Sequence, residues 1–203
     1  MNTFGNRSAH LPEDAFLLDK ARSLGASDAV FVSANMISIE DGIISFCRPP
    51  QCEGYGRSIY CPPHAMKPAE ARSWISTFRR GILFKLDVPI AELMTGERFS
   101  FFRKIFEISA DLEELCKAHG QVHSKSLAAG SCKPVFCEDS PCRALEPKGT
   151  CRFPRLARPS MEAIGINVFD LAEKVGWEMH PITRNTREEK VAQGLLAGLT
   201  LLG

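Results

Sequence analysis

The 203-residue chain predicts one α/β domain over 1–203, built in layers, with two cysteine-rich loops that hold metal. Three observations lead to this expectation. Segments with helical and with strand periodicity alternate along the chain, which is typical of helices packed on a sheet. Seven of the eight cysteines lie in two loops, residues 47–67 and 130–160. A chain of this length also buries a hydrophobic core without help, so it does not need these cysteines as disulfides.

The first half of the chain predicts two helices and three extended segments. Pro12 and Pro68 stand at the favoured first helical position, and Gly25 and Gly81 end the two helices. The extended segments are a buried apolar run, a hairpin around an Asp-Gly pair and a second apolar strand. In order, the expected elements are a helix over 12–24, a strand over 29–33, a hairpin over 37–46, a helix over 68–80 and a strand over 81–88.

The second half of the chain predicts the longest helix, over residues 97–119, from a wide apolar stripe that Gly120 ends. Thr186 and Glu189 have the spacing of a capping box and predict the start of the last helix. The tail, 199–202, fits either a strand or a helix. The remaining expected elements are a strand over 122–129, a helix over 168–175, a strand over 177–182 and the last helix over 186–196.

Helices that separate the strands favour an α/β arrangement in which the cysteine loops leave the ends of strands. The short connection between the strand at 29–33 and the predicted hairpin also allows an α+β arrangement, which is the alternative.

The charge balance excludes some classes of partner. The chain has 25 basic and 24 acidic residues, so no bulk positive charge attracts nucleic acid or an anionic membrane. The first residues have no apolar core of a signal peptide, and no apolar run reaches the ~20 residues of a membrane span. We therefore expect a cytoplasmic protein with no nucleic-acid or membrane partner. In that compartment thiols stay reduced, and clustered cysteines bind metal or react.

The clustered cysteines form two sets with a shared spacing. One set is Cys47, Cys52 and Cys61, and the other is Cys132, Cys137, Cys142 and Cys151. The first set and the last three members of the second set both have steps of 5 and then 9 residues. Proline and glycine fill both loops, and these residues fix or turn a backbone so that thiolates converge. All seven are therefore the predicted metal and cofactor ligands.

The chemistry of the donors points to a soft metal, either zinc or an iron–sulfur cluster. Structural zinc sites typically use cysteine pairs separated by 2–4 residues, often with histidine. Here no short Cys-x-x-Cys pair occurs, and no histidine lies inside the two cysteine spans. Iron–sulfur clusters accept wider spacing, including four-residue gaps. The sequence therefore predicts one or two [4Fe–4S] clusters in electron transfer or redox chemistry. A structural zinc module and a set of redox-active thiols are the alternatives.

The set of three cysteines raises a second possibility for function. Three thiolates leave one iron of a [4Fe–4S] cluster open, and an open iron is a Lewis acid that can bind substrate in an enzyme. Candidates for a fourth ligand are His64, Cys116 and Cys132 donated from the other loop. Cys116 follows Leu112 by four residues on the longest helix, so it fits the hydrophobic core better. One cluster with spectator cysteines, or two closed electron-transfer centres, are also compatible with the pattern.

Residues around the two sets suggest how a metal centre interacts with its surroundings. Tyr55 and Tyr60 either shield a cluster from water or simply pack, and Ser160 has the position of a helix cap. Positive charge collects near the second set, at Arg143, Lys148, Arg152, Arg155 and Arg158. These cations either offset thiolate charge, bind a redox partner protein or a small anionic substrate, or are simply solvated.

Three segments together resemble a family of predicted metal-binding proteins, a domain of unknown function that is common in anaerobic bacteria and archaea. They are the Cys-Glu-Gly-Tyr-Gly stretch running to Cys61-Pro-Pro, the cysteine cluster 132–151, and 158–168 with its Arg-Pro-Ser-Met-Glu-Ala sequence. The resemblance covers the chain from about residue 47 onward. It implies metal binding through these cysteines, with an iron–sulfur cluster as the expected group, and it implies no particular reaction. The second set starts with a wider spacing than the family pattern.

Overall fold

A computed structural model of the protein describes residues 12–182, 186 and 191–203. The helices and strands alternate much as the sequence predicts. The helices are α1 (Pro12–Ser23), α2 (Pro68–Ile75), α3 (Ile90–Leu93), α4 (Arg98–Ala118) and α5 (Val168–Lys174). The strands are β1 (Asp28–Ser33), β2 (Arg80–Pro89), β3 (Lys125–Leu127) and β4 (Gln193–Leu202).

The four strands form one sheet in the order β1-β2-β4-β3, and every neighbouring pair is antiparallel. The long ladder between β2 and β4 is its centre, and it pairs Arg80 with Leu202 at one end and Pro89 with Gln193 at the other. The predicted mixed helix-and-strand domain is confirmed. Antiparallel pairing makes it the α+β arrangement that the sequence left as the alternative.

Hydrophobic cores lie on both faces of the sheet because β2 is buried on both sides. Ile82 and Phe84 point toward α1 and α4, whereas Leu83 between them points toward α2 and α5. Alternate residues of a strand face opposite sides, so an apolar strand of this kind needs helices on both faces. The result is a three-layer domain, with helix layers on either side of the sheet.

Two predicted extended segments are wrong. Residues 37–46 are not a hairpin but contain a short 3₁₀ turn, Ile43–Cys47. The backbone here finds its partner elsewhere, since the Glu40 N–H donates to the Gly165 carbonyl at 2.8 Å. Residues 177–182 form no strand. Trp177 instead anchors this segment, because its ring is buried and its Nε1 donates to Asp28 Oδ2 at 3.2 Å.

The helix predicted over 186–196 is wrong where it is described. Residues 193–196 belong to β4, where Leu195 and Leu196 pair with Asp87 and Leu86 of β2. Pairing with a long central strand overrides the capping-box pattern. The part at 187–190 lies outside the described residues. The undecided tail, 199–202, is strand.

No helix among the described residues is both long enough and apolar enough to cross a membrane.

Candidate metal centre

The second cysteine loop, residues 130–160, leaves the sheet at the end of β3 and returns beside it. The Ala128 N–H donates to the Pro159 carbonyl at 3.0 Å, and the Met161 N–H donates to the Ala128 carbonyl at 3.2 Å. These bonds bring the two ends of the loop together. Gly130 starts the loop with a φ of 68°, and a Cβ there would lie 2.8 Å from the Phe102 ring. Glycine is therefore required where the chain turns toward Cys132.

The first cysteine loop, residues 47–67, connects the 3₁₀ turn Ile43–Cys47 to α2. Its own backbone bonds shape it. The Gly56 N–H donates to the Pro62 carbonyl at 2.7 Å, and the Cys61 carbonyl accepts from the N–H groups of His64 and Ala65 at 2.9 and 3.0 Å. The loop therefore turns tightly around Cys61.

Two contacts join the loops, and each is made between a serine of one loop and a cysteine of the other. The Ser58 hydroxyl of the first loop lies 3.3 Å from the Cys132 sulfur of the second. The Cys61 thiol of the first loop donates to the Ser131 hydroxyl of the second, also at 3.3 Å. Ser131 Oγ also accepts from the Lys133 N–H at 3.2 Å, which orients it. The two predicted ligand sets therefore meet at Cys61 and Cys132.

These two cysteines are also the most buried of the seven. Cys132 is 6% exposed and Cys61 is 8% exposed, whereas the other five are half-buried. All eight cysteines of the chain are free thiols. The centre is therefore buried where the two sets meet and more open at its outer thiols.

The electrostatic influence of the thiols on one another shows which of them are neighbours. Burial, together with the charges of Cys52, Glu162 and Cys61, raises the pKa of Cys47 to about 12. Burial also raises the pKa of Cys61, against the Ser131 hydrogen bond that lowers it, while Cys52 and Cys142 add to the rise. The thiols of the first set therefore act on one another electrostatically, and Cys142 of the second set acts on Cys61.

Cys132 is influenced by thiols of both sets. Burial, together with the charges of Cys61, Cys151 and Cys137 and against the Ser58 hydrogen bond, raises the pKa of Cys132 to about 12. A metal ion must displace the proton from a thiol before it can bind the sulfur. Thiols with raised pKa values that cluster in this way would ionise on metal binding and release protons.

Backbone N–H groups also point at two of the sulfurs. The Gly54 N–H donates to Cys52 Sγ and the Phe153 N–H to Cys151 Sγ, both at 3.4 Å. Hydrogen bonds of this kind stabilise a thiolate, and in iron–sulfur proteins they tune the reduction potential. An all-thiol donor set that is partly buried and accepts N–H bonds fits a soft metal group.

No three Cys, His, Asp or Glu side chains within 12–182, 186 and 191–203 converge as a site for one metal ion. The thiols are instead distributed over the two loops.

Arginines connect the second loop to α4. Arg103 donates to the Val135 carbonyl at 2.8 Å, and Arg158 donates to the Phe106 carbonyl at 3.1 Å. Arg155 forms an ion pair with Asp111 on the same helix at 2.7 Å. The predicted cluster of positive charge therefore contains residues with structural roles.

The other basic residues of the second loop differ in their contacts. Arg152 donates to the Pro141 carbonyl at 2.6 Å, so it also holds the loop. Arg143 and Lys148 have exposed side chains. Their charge is directed to solvent beside the thiols.

The candidates for a fourth ligand are placed differently. Cys116 is fully buried in the core beside α1, and the prediction that it is a core residue is confirmed. His64 is exposed, and in the described part of the chain no hydrogen bond joins its imidazole to a thiol. Only Cys132 lies at the junction with the first set.

The flanking residues predicted from the sequence also have defined places. Tyr55 and Tyr60 are half-buried, and burial together with the charges of Cys151 and Cys132 raises the pKa of Tyr60. The Ser160 hydroxyl accepts from the Ala163 N–H at 3.2 Å, but Met161 is the N-cap of the segment that follows, and this segment is one short 3₁₀ turn, Glu162–Ile164.

Three residues near the thiols were missed by sequence reasoning. Ser58 and Ser131 lie three residues before Cys61 and one before Cys132, but serine beside cysteine is too common to mark a contact. Glu162 is far from Cys47 in sequence, yet its charge acts on that thiol, and burial raises the pKa of Glu162 itself. No local pattern predicts this approach.

Comparison with known families agrees with the donor set. Residues 30–197 match the family model described as predicted metal-binding protein (DUF2284), and this range contains all seven clustered cysteines. The chain therefore belongs to this family of predicted metal-binding proteins, which confirms the resemblance found in its sequence. Comparisons with curated proteins and with solved structures gave no match.

Proposed function

We propose that the protein is an iron–sulfur protein that uses its seven clustered thiols to hold one or two [4Fe–4S] clusters for electron transfer. The observation that carries the proposal is the junction between the loops, where Cys61 and Cys132 face the serines of the opposite loop at 3.3 Å. This contact brings one cysteine of each set to the buried junction between the loops, which supports a shared metal centre.

The type of donor supports a cluster over single zinc ions. All the clustered donors are thiols, their spacing is wide, and two of them accept backbone N–H bonds. When bound, an iron–sulfur cluster supplies one-electron redox chemistry. The chain's part is to provide the thiolates, limit access of water to Cys61 and Cys132, and orient N–H groups toward sulfur.

The composition of the purified protein tests the proposal. The protein is purified without oxygen, and iron, zinc and acid-labile sulfide are measured per chain. We expect iron and sulfide in equal amounts, with the brown colour of thiolate-bound iron. Stoichiometric zinc without iron or sulfide would instead establish the structural zinc module.

A second candidate is an enzyme in which one iron stays open to substrate. Seven clustered thiols are one short of two complete four-cysteine sites, and this count favours it. Electron paramagnetic resonance of the reduced protein tests this candidate with added sulfide or small thiols. A changed signal supports an open iron, and an unchanged signal with every ligand rules it out.

We also propose a cytoplasmic location, where thiols stay reduced. A redox partner protein would meet the centre near the exposed Arg143 and Lys148, which favour an acidic surface. Nucleic-acid and membrane partners are not part of the proposal, because the net charge is only +1.

A further inference from the structure

Beside the thiol centre lies a pocket of about 260 Å³ that the proposed electron-transfer function does not use. It opens between α4, β3 and the end of the second cysteine loop. Its polar wall consists of Arg158, Lys125, Glu113 and Tyr60, and its apolar wall includes Trp74 and Met66. A concave site with apolar walls and a few convergent polar groups is the usual form of a small-molecule site.

Arg158 is the main recognition group in this pocket. The residue is only 9% exposed, although an arginine is rarely buried without a partner. Its Nη1 donates to the Phe106 carbonyl at 3.1 Å and its Nη2 to the Arg155 carbonyl at 2.9 Å. A guanidinium has five N–H donors. Among the described residues, the other three have no hydrogen-bond acceptor.

The carboxylate of Glu113 does not neutralise both cations of the pocket wall, Arg158 and Lys125. Glu113 accepts from the Ser126 N–H at 2.9 Å and pairs with Lys117. Arg158 and Lys125 lie 3.8 and 3.9 Å from it, which are ion-pair distances without a hydrogen bond. The pocket lining thus has two cations and one anion, and this excess of one positive charge favours a ligand with one negative charge.

The pocket is connected to the thiols through Tyr60. Tyr60 lines the pocket, and its backbone N–H donates to Ser58 Oγ at 3.1 Å. The same Ser58 hydroxyl lies 3.3 Å from Cys132 Sγ. Two residues therefore separate the pocket from the buried end of the thiol centre.

We propose that this pocket binds a small monocarboxylate with an apolar body. Its carboxylate would lie between Arg158 and Lys125, and its apolar part would lie against Trp74 and Met66. A volume of about 260 Å³ falls just under the ~300–1,000 Å³ of pockets for drug-sized ligands, so the ligand is small. The inference goes beyond the proposed function, because the pocket does not depend on which metal the thiols hold.

Binding of benzoate, followed by calorimetry and by the fluorescence of the two tryptophans, Trp74 and Trp177, tests the proposal. We expect benzoate to bind and benzyl alcohol, which has the same body without the charge, to bind at least about tenfold more weakly. Lys125→Ala removes one cation from an exposed position, so the variant should fold and lose about tenfold in benzoate affinity. Arg158→Lys keeps the charge but loses the fork of donors, and we expect a similar or larger loss.

His123→Ala is the matched control. His123 lines a neighbouring cavity together with Trp74 and Lys125 but does not line this pocket. Unchanged benzoate affinity in this variant supports the assignment to the pocket of Arg158. Equal losses in His123→Ala and Lys125→Ala would place the ligand in the neighbouring cavity and overturn the proposal.

Other outcomes also decide the question. Absence of benzoate binding, equal binding of benzyl alcohol, or tighter binding of inorganic phosphate than of benzoate would each overturn the monocarboxylate site. Iron is measured in the same preparations. Iron without benzoate binding contradicts this inference alone, and benzoate binding without iron contradicts the proposed function alone.

Discussion

The two cysteine loops share a spacing of thiols but are held by the protein in different ways. Arg103 and Arg158 fasten the second loop to α4, and the bonds of Ala128 close it beside β3. The first loop is shaped by hydrogen bonds within itself, such as the Gly56 N–H to the Pro62 carbonyl, and it contacts the second loop at Ser131 and Cys132. The second loop is therefore part of the fold, and the first is positioned against it.

This difference argues that the equal spacing reflects a shared need of the metal rather than a duplicated structure. It also predicts an asymmetry. Damage to the support of the second loop should disturb both ligand sets, whereas damage near the outer part of the first loop should stay local.

The largest loss of stability is expected from a substitution in α4, on which the second loop packs. Phe106 is fully buried, its carbonyl accepts from Arg158, and its ring contacts Phe136 of the loop at 5.3 Å between centroids. Phe106→Ala should lower the free energy of unfolding by about 3–5 kcal/mol, measured by urea denaturation of the metal-free protein. Phe46, next to Cys47, is 67% exposed, so Phe46→Ala should change it by less than about 0.5 kcal/mol. Equal losses would contradict the asymmetry.

Glycines at the two loops give a smaller and closely matched test. Gly130 and Gly56 have similar φ values of 68° and 70°, but only at Gly130 would a Cβ meet another group, the Phe102 ring. Alanine at either position costs about 1–2 kcal/mol in backbone strain. Gly130→Ala should cost about 1 kcal/mol or more beyond Gly56→Ala, because the ring must also move. A larger loss of stability in Gly56→Ala than in Gly130→Ala would contradict the packing of the second loop against the Phe102 ring.

The contact between the loops is tested by removing one hydroxyl. Ser58 is 1% exposed and serves both Cys132 Sγ and the Tyr60 N–H. Ser58→Ala leaves the Tyr60 N–H without its acceptor and should lower the free energy of unfolding by about 1–2 kcal/mol. Because the hydroxyl also contacts Cys132 Sγ, the variant should change the reduction potential of the iron-loaded protein. Ser73→Ala, on an exposed face of α2, is the control and should change neither quantity. A potential that stays the same in Ser58→Ala would argue against the junction.

The smallest effect at neutral pH is the titration of the thiols. Burial raises the pKa of Cys47 and of Cys132 from 9.0 to about 12 in the metal-free fold. Below pH 9 both thiols are protonated in the folded and in the unfolded chain, and they do not lower the free energy of unfolding. Between pH 9 and 12 only the unfolded chain releases these protons, so the free energy of unfolding falls as the pH rises. The urea midpoint should therefore fall over this range, and fall less in a Cys47→Ala, Cys132→Ala variant. An equal fall in that variant would assign the loss to other groups.

The sequence predicts correctly those helices whose signals are local. Prolines at the first helical position predicted where α1 and α2 begin, and the apolar stripe predicted α4 almost to its ends. The predicted end of α2 is wrong, because α2 ends at Ile75 and Gly81 lies in β2. Prediction also failed where a distant partner decides the conformation. The segment 193–196 is strand because β2 pairs with it, and 37–46 is irregular because Gly165 takes its backbone bond.

The candidate site was predictable to the same degree. The cysteines were found from their number and spacing, since thiols in two Pro- and Gly-rich loops have few other uses. Their meeting was not predictable, because it depends on Ser58 and Ser131, which lie more than 70 residues apart in the chain. The pocket beside Arg158 likewise depends on tertiary packing that joins α4, β3 and the second loop.

Iron content in three cysteine variants tests the central claim most directly. Cys61→Ser, Cys142→Ser and Cys116→Ser are purified without oxygen, and iron and acid-labile sulfide are measured per chain. The two loop variants should lose iron and sulfide, whereas Cys116→Ser, in the hydrophobic core, should keep the content of the unaltered protein. Full iron in both loop variants, or loss of iron in Cys116→Ser while its fold is intact, would contradict the assignment of the metal to the two loops.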